Sequence, residues 1–174
     1  MYTKVRKLGR KSSHRIALLR NLVTSLVEHE TISTTYPKAK EAQKLAEKVI
    51  TLAKKNTEAS RERAKQILFR PHDNLPKLFG TLAERYKERP GGYTRVLRIE
   101  PLKTDQAPSA ILEFVDGPKD MRFHMTAKTI AACQAEKKDM SDFTVKNIKK
   151  VTQFRSNGQA ELEKLVQKLR TTTV

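Results

Sequence analysis

Apolar residues recur at spacings of three and four from Ile16 onward: Ile16, Leu19, Val23 and Leu26, with Leu22 and Val27 beside them. That period lays one stripe along a helix running to about Glu30 and puts His14, Asn21 and Ser25 on roughly the opposite side. Ser12 or Ser13 is placed to cap it, because a serine hydroxyl can satisfy a free first-turn amide. The β-branched run Thr31 to Thr35 predicts a short strand or extended link. Thr35 and Pro37 then open a second helix. Its inward face carries Ala39, Ala42, Ala46, Val49, Ile50 and Ala53; its outward face carries Lys40, Lys44, Lys48 and Lys55, interrupted by Glu41 and Glu47.

A third helix spans about Glu58 to Leu68 and ends at Pro71. Asp73 or Asn74 is expected to cap a fourth through about Glu88, with Leu75, Leu78, Phe79 and Leu82 inward. Pro90-Gly91-Gly92 breaks that pattern. Alternation follows from Tyr93 to Ile99, and Ala110 to Val115 is the matching apolar run, joined by a hairpin-like loop with a turn near Asp105. Past Gly117-Pro118 the pattern is wholly helical: Met121 to Lys138, Ser141 (as cap) to about Lys150, and Gln159 to Arg170. The expected fold is α+β. A helix-rich compact domain with a small antiparallel or mixed sheet occupies residues 1–116, with a basic N-terminal arm, and an all-helical extension occupies 117–174.

Charge adds a partner class to this outline. The 174 residues carry 36 Lys and Arg against 19 acids, a formal net charge of +17. The first acid is Glu28, and Lys4, Arg6, Lys7, Arg10, Lys11, Arg15 and Arg20 all precede it. So one-sided a segment repels itself unless a polyanion lies against it. No run approaches the roughly 20 apolar residues of a membrane span, so no membrane insertion is expected. Trp is absent and aromatics are only 6%, which favours phosphate contact over a stacking platform. The arginine- and serine-containing head fits an organelle-import segment and a surface arm on RNA equally well.

Catalytic chemistry finds no foothold. His14, His29, His72 and His124 are far apart and none has metal-ligand spacing. The sole cysteine, Cys133, excludes an intramolecular disulfide and a cysteine-rich zinc site, fits a reducing compartment, and is read as a small buried residue. Ser12-Ser13-His14 is contiguous rather than an oriented nucleophile and base. Gly91-Gly92 lacks the spacing of a phosphate-cradling loop. No enzyme activity, metal, cofactor or small-molecule substrate is expected.

The motif order carries a resemblance. Arg6-Lys7-Leu8-Gly9-Arg10, Ser12-Ser13-His14-Arg15, Leu19-Arg20-Asn21-Leu22, Thr34-Thr35, Pro37-Lys38-Ala39-Lys40-Glu41, Lys77-Leu78-Phe79 and Gly91-Gly92-Tyr93-Thr94-Arg95-Val96-Leu97 appear in sequence, followed by Asp105 and Ala107-Pro108. Together they resemble the bacterial-type large-subunit ribosomal protein number seventeen family over roughly residues 4 to 116. The resemblance implies a non-catalytic α+β domain that binds large-subunit ribosomal RNA and neighbouring ribosomal proteins near the nascent-chain exit. It implies RNA contact at the basic head, Lys4, Arg6, Lys7, Arg10, Lys11, Ser12, Ser13, His14, Arg15, Arg20 and Asn21. Lys38, Lys40 and Lys44 of the second helix and Tyr93, Thr94 and Arg95 complete the set, with His14 and Tyr93 as stacking groups. The appended helices resemble mitochondrial members, which places the protein in the mitochondrial matrix; a bacterial cytoplasmic or plastid protein is the alternative. The rival function is an architectural nucleic-acid-binding protein outside the ribosome. No dimer seam or recognition helix supports a DNA partner.

Overall fold

The computed structural model describes residues 6–101 and 103–172. They form two compact units that divide between Val115 and Asp116. The first is α+β, as its change of hydrophobic period requires.

Helix α1 (Ser12–His29) buries Leu19, Val23, Leu26 and Val27. Ile16, expected in that stripe, is 51% exposed and lines a surface groove instead of lying under the core. The expected serine cap is also absent. Lys11 takes the extended position before the helix, Ser12 and Ser13 are already helical, and no side chain caps the first turn. The preceding turn explains this: Leu8 and Gly9 are both left-handed (φ 56° and 68°) and Arg10 N–H bonds to the Lys7 carbonyl. Such a turn suits glycine at its second position.

Strand β1 (Thr31–Thr35) leads directly into α2 (Tyr36–Lys55), which has Pro37 in its first turn. The alanine face is fully buried, so α2 packs closely against its neighbours. Strands β2 (Thr94–Ile99) and β3 (Ser109–Phe114) complete a wholly antiparallel sheet of order β1-β3-β2. Ala110, Leu112 and Phe114 enter the core from the central strand.

Helix α3 (Glu58–Ile67) carries a capping box, with Thr57 and Ser60 bonding each other's backbone amides. The fourth helix differs from expectation. Pro71 begins α4 (Pro71–Lys77) after a left-handed Arg70, and neither Asp73 nor Asn74 is the cap; the Asn74 amide donates to the Phe69 and Arg70 carbonyls. Pro76 cannot donate a backbone bond, and a wider π-helical stretch, Leu78–Leu82, follows before the short α5 (Ala83–Arg85). The helical path therefore ends before Glu88. Tyr86, fully buried, donates its hydroxyl to the Val115 carbonyl at 2.6 Å.

The second unit is helical throughout: α6 (Met121–Ala135), α7 (Asp142–Thr152) and α8 (Gly158–Thr172). Asp120 caps α6 by accepting from Phe123 N–H, and Ser141 caps α7 by accepting from Thr144 N–H. Phe123, Ala127, Ile130, Val151, Leu162 and Val166 form its core. Arg155 lies 3.9 Å above the Phe123 ring and donates to the Gly117 carbonyl. Cys133, expected to be buried, is only half-buried, because it lies to the side of the Ala127–Ile130–Ala131 face.

Candidate nucleic-acid interface

The basic head folds against the start of α2. Arg15 makes the junction: its Nε donates to the Arg6 carbonyl at 2.7 Å and its other guanidinium nitrogen to buried Glu41 at 2.9 Å. Glu41 also accepts from Lys44 at 3.1 Å. The outward acid predicted on α2 is therefore an internal counter-charge. Arg20 is likewise engaged, donating to the Ile67 carbonyl with its guanidinium 4.2 Å above the Phe69 ring. Arg10 turns back to the Leu8 carbonyl.

What remains open to solvent is a different subset. Arg6, Lys7, Lys11, Ser12, Ser13, His14 and Asn21 are exposed, while Lys38 and Lys40 are half-exposed near the start of α2. Lys4 lies outside the described residues. Neither α1 nor α2 has a side-chain cap or an acid in its first turn. Two uncapped helix N-termini thus add positive potential to the cations around them.

Tyr93, Thr94 and Arg95 are withdrawn from this surface. Gly92 is left-handed (φ 68°) just before Tyr93, whose ring is buried 5.1 Å from that of Tyr86. Tyr93 N–H, Thr94 N–H and the Thr94 hydroxyl all donate to the Glu47 carboxylate of α2. Arg95 pairs with fully buried Glu113 at 2.9 Å. The Gly-Gly-Tyr-Thr-Arg segment is a clasp between sheet and helix, and Tyr93 has no face left for stacking on a base.

Two residues absent from the sequence-based set belong with the open cations. The Arg98 guanidinium lies 4.2 Å above the Tyr36 ring, and Lys40 lies 5.9 Å from the same centroid. Arg98 beside the Tyr36 hydroxyl, with Lys40 and Arg6 further off, holds that phenol below its ordinary range. The alternation of β2 could have separated Arg98 from Arg95, but its meeting with Tyr36 requires the strand register.

Between α1, α2 and α3 runs a groove of about 700 Å³, with Ile16, Leu45, Leu52 and Ile67 among its apolar lining and Arg20, Lys48 and Arg63 among its cations. Elsewhere in the first unit Glu30 serves as a counter-charge for two cations. Burial pushes the Glu30 carboxyl up, but Arg85 at 2.6 Å and Lys77 at 3.4 Å outweigh it and hold the group below the usual carboxylate range. Among the described residues, no three His, Cys, Asp or Glu side chains converge as a metal site. No described helix is long and apolar enough to cross a membrane.

Comparison with known proteins places the first unit within a family. A model of the ribosomal protein L17 family matches residues 18–115, ending with the first unit. The chain is 61% identical over 170 residues to a Neurospora crassa protein named large ribosomal subunit protein bL17m, covering 97% of this chain and 88% of the relative. A Schizosaccharomyces pombe protein of the same name is 57% identical over 165 residues, covering 94% of this chain and 80% of its own. Such coverage includes the helical second unit, so the extension is shared with both fungal relatives. With more than half the chain matched by the family model and identity above half across nearly its whole length, the chain belongs to the ribosomal protein L17 family.

Proposed function

We propose that this chain is a structural constituent of the large subunit of a mitochondrial ribosome, where it binds large-subunit rRNA and neighbouring ribosomal proteins near the nascent-chain exit. It acts as a scaffold and not as an enzyme. The observation that carries the reading is the sorting of basic residues. Arg15, Arg85 and Arg95 hold buried carboxylates, whereas Arg6, Lys7, Lys11, Lys38, Lys40 and Arg98 face outward without an ion pair among the described residues. Phosphate oxygens are the natural partners of such donors: arginine offers a planar fork and lysine a mobile charge. RNA helices are recognised largely by shape, through backbone and 2′-hydroxyl contacts. In this reading the first unit carries the RNA role, and the helical second unit adds contacts at the subunit surface.

Cosedimentation of the tagged full chain with the large subunit at moderate salt, followed by sequencing of the recovered RNA, tests the assignment. Large-subunit rRNA is expected; recovery with chromatin would reject it. Binding to that RNA should show a log–log salt slope of roughly −4 to −6, as expected for five to seven neutralised phosphates. A slope near zero would reject the phosphate mechanism. Deleting residues 118–174 should lower incorporation into subunits, and unchanged incorporation would remove the role given to the second unit. Crosslinking within the assembled subunit tests the placement, because partners remote from the exit would exclude it.

A further inference from the structure

Arg95 and Arg98 share β2 but face opposite sides of the sheet, since successive strand side chains alternate and the two are an odd number of positions apart. Arg95 is tied to Glu113. Arg98 stands opposite Ala110 of β3, which in turn stands opposite Thr34 of β1. Two residues beyond Thr34 comes Tyr36, the first residue of α2, and this register is why the Arg98 guanidinium reaches the Tyr36 ring at 4.2 Å. Lys40, one turn further along α2, approaches the same ring at 5.9 Å, and the charge of Arg6 acts on the same phenol from the N-terminal arm.

Among the described residues, none of Arg6, Lys40 and Arg98 is ion-paired. Three cations of one sign gather here beside an uncapped, acid-free helix N-terminus. Mutual repulsion disfavours this arrangement in the isolated chain, and one compact anion placed among the three would relieve it.

We infer that Arg98, Lys40, Arg6 and the Tyr36 hydroxyl form a clamp for a single backbone phosphate of large-subunit rRNA, with the ring of Tyr36 holding the guanidinium in place. This rests on the RNA-binding reading above and assigns a site within it. The phosphodiester fits better than an acidic side chain for two reasons. Its two non-bridging oxygens can accept from the guanidinium fork and from the ammonium or hydroxyl together. Beyond Arg6 the open cations continue through Lys7 and Lys11, as a polymer of phosphates would require.

The test compares full-length chains binding an in vitro transcript of the large-subunit rRNA across a salt series, with urea melts to confirm folding. The double variant Arg98→Gln, Lys40→Gln should lower the magnitude of the log–log slope by about 1, for the one phosphate lost, and Arg98→Lys should retain the wild-type slope. Tyr36→Phe should weaken binding several-fold with the slope unchanged, because it removes a donor and no charge. A steep wild-type slope left unaltered by the double variant would overturn the clamp while leaving RNA binding intact. Loss of subunit incorporation by that variant, with transcript binding unaltered, would assign the site to a protein partner and equally overturn it. A flat wild-type slope would instead reject the underlying RNA reading.

Discussion

The head around residues 6–15 and the segment 91–95 both carry basic residues, yet the fold uses them in opposite ways. The head keeps Arg6, Lys7 and Lys11 in solvent, and its helix begins with no cap and no acid. The 91–95 segment turns inward at Gly92, buries Tyr93, donates three hydrogen bonds to Glu47 and pairs Arg95 with Glu113. The difference is the location of carboxylates. Glu47 and Glu113 lie where the clasp can reach them, whereas nothing acidic precedes Glu28 and Glu41 captures only Arg15 and Lys44 from that side. A basic residue is thus available to an external anion only where the fold supplies no counter-charge of its own.

The largest effect that would test this contrast falls on the clasp. Tyr93→Ala removes a buried ring packed against Tyr86 and should destabilise the protein by about 4 kcal/mol in urea unfolding. Affinity for the rRNA transcript at fixed salt should stay at its wild-type value under conditions where the variant is folded; weakened binding would return Tyr93 to the interface. Arg15→Ala comes next, because Arg15 belongs to both sides of the comparison. It should lose about 2 kcal/mol, less than a fully isolated buried pair because Lys44 still reaches Glu41. Binding should weaken as well, since the Arg6 carbonyl loses its tether.

Acid should act on the fold and spare the phosphate contacts. The folded Glu30 carboxyl titrates below its ordinary value of about 4.3, so its contribution is full above that pH and disappears as pH falls through the lower folded value. Stability measured from pH 6 to 3 should therefore fall at the acid end, and Glu30→Gln should flatten that part of the curve. An unaltered curve would dismiss Glu30 as a contributor.

Smaller stability effects belong to the head. Replacing Arg6, Lys7 and Lys11 together by Gln should change unfolding free energy by less than about 0.5 kcal/mol, as expected for exposed side chains. The same variant should lower the salt slope by about 2, since Arg98 and Lys40 still hold the phosphate they share with Arg6, with affinity falling at every salt concentration below 0.2 M. The smallest effect is expected for Ser12→Ala with Ser13→Ala. A true N-cap would lose about 1 kcal/mol, but neither hydroxyl caps α1, so thermal unfolding should scarcely move.

Much of the outline was legible because it depends on local period. The alanine face of α2, the alternation of β2, the turn near Asp105 and the Ser141 cap are each written within a few neighbouring residues. The serine cap on α1 failed because the left-handed pair Leu8 and Gly9 shifts the helix start by one position, which composition does not reveal. The helix after Pro71 failed because proline can open a helix as readily as end one. Tyr93 was named as a stacking group because an aromatic beside arginine reads alike in a core and in an RNA site.

By itself, then, the sequence determined the elements, the α+β class, the family and the net attraction for a polyanion. All of these follow from near-neighbour chemistry or from summed charge. Only the tertiary structure decided which cations remain for that polyanion. Whether an arginine meets Glu41, Glu113, a carbonyl or solvent depends on residues 18 to 47 positions away, brought together by strand register and helix packing. Arg95 and Arg98, three positions apart and chemically identical, received opposite fates for that reason alone.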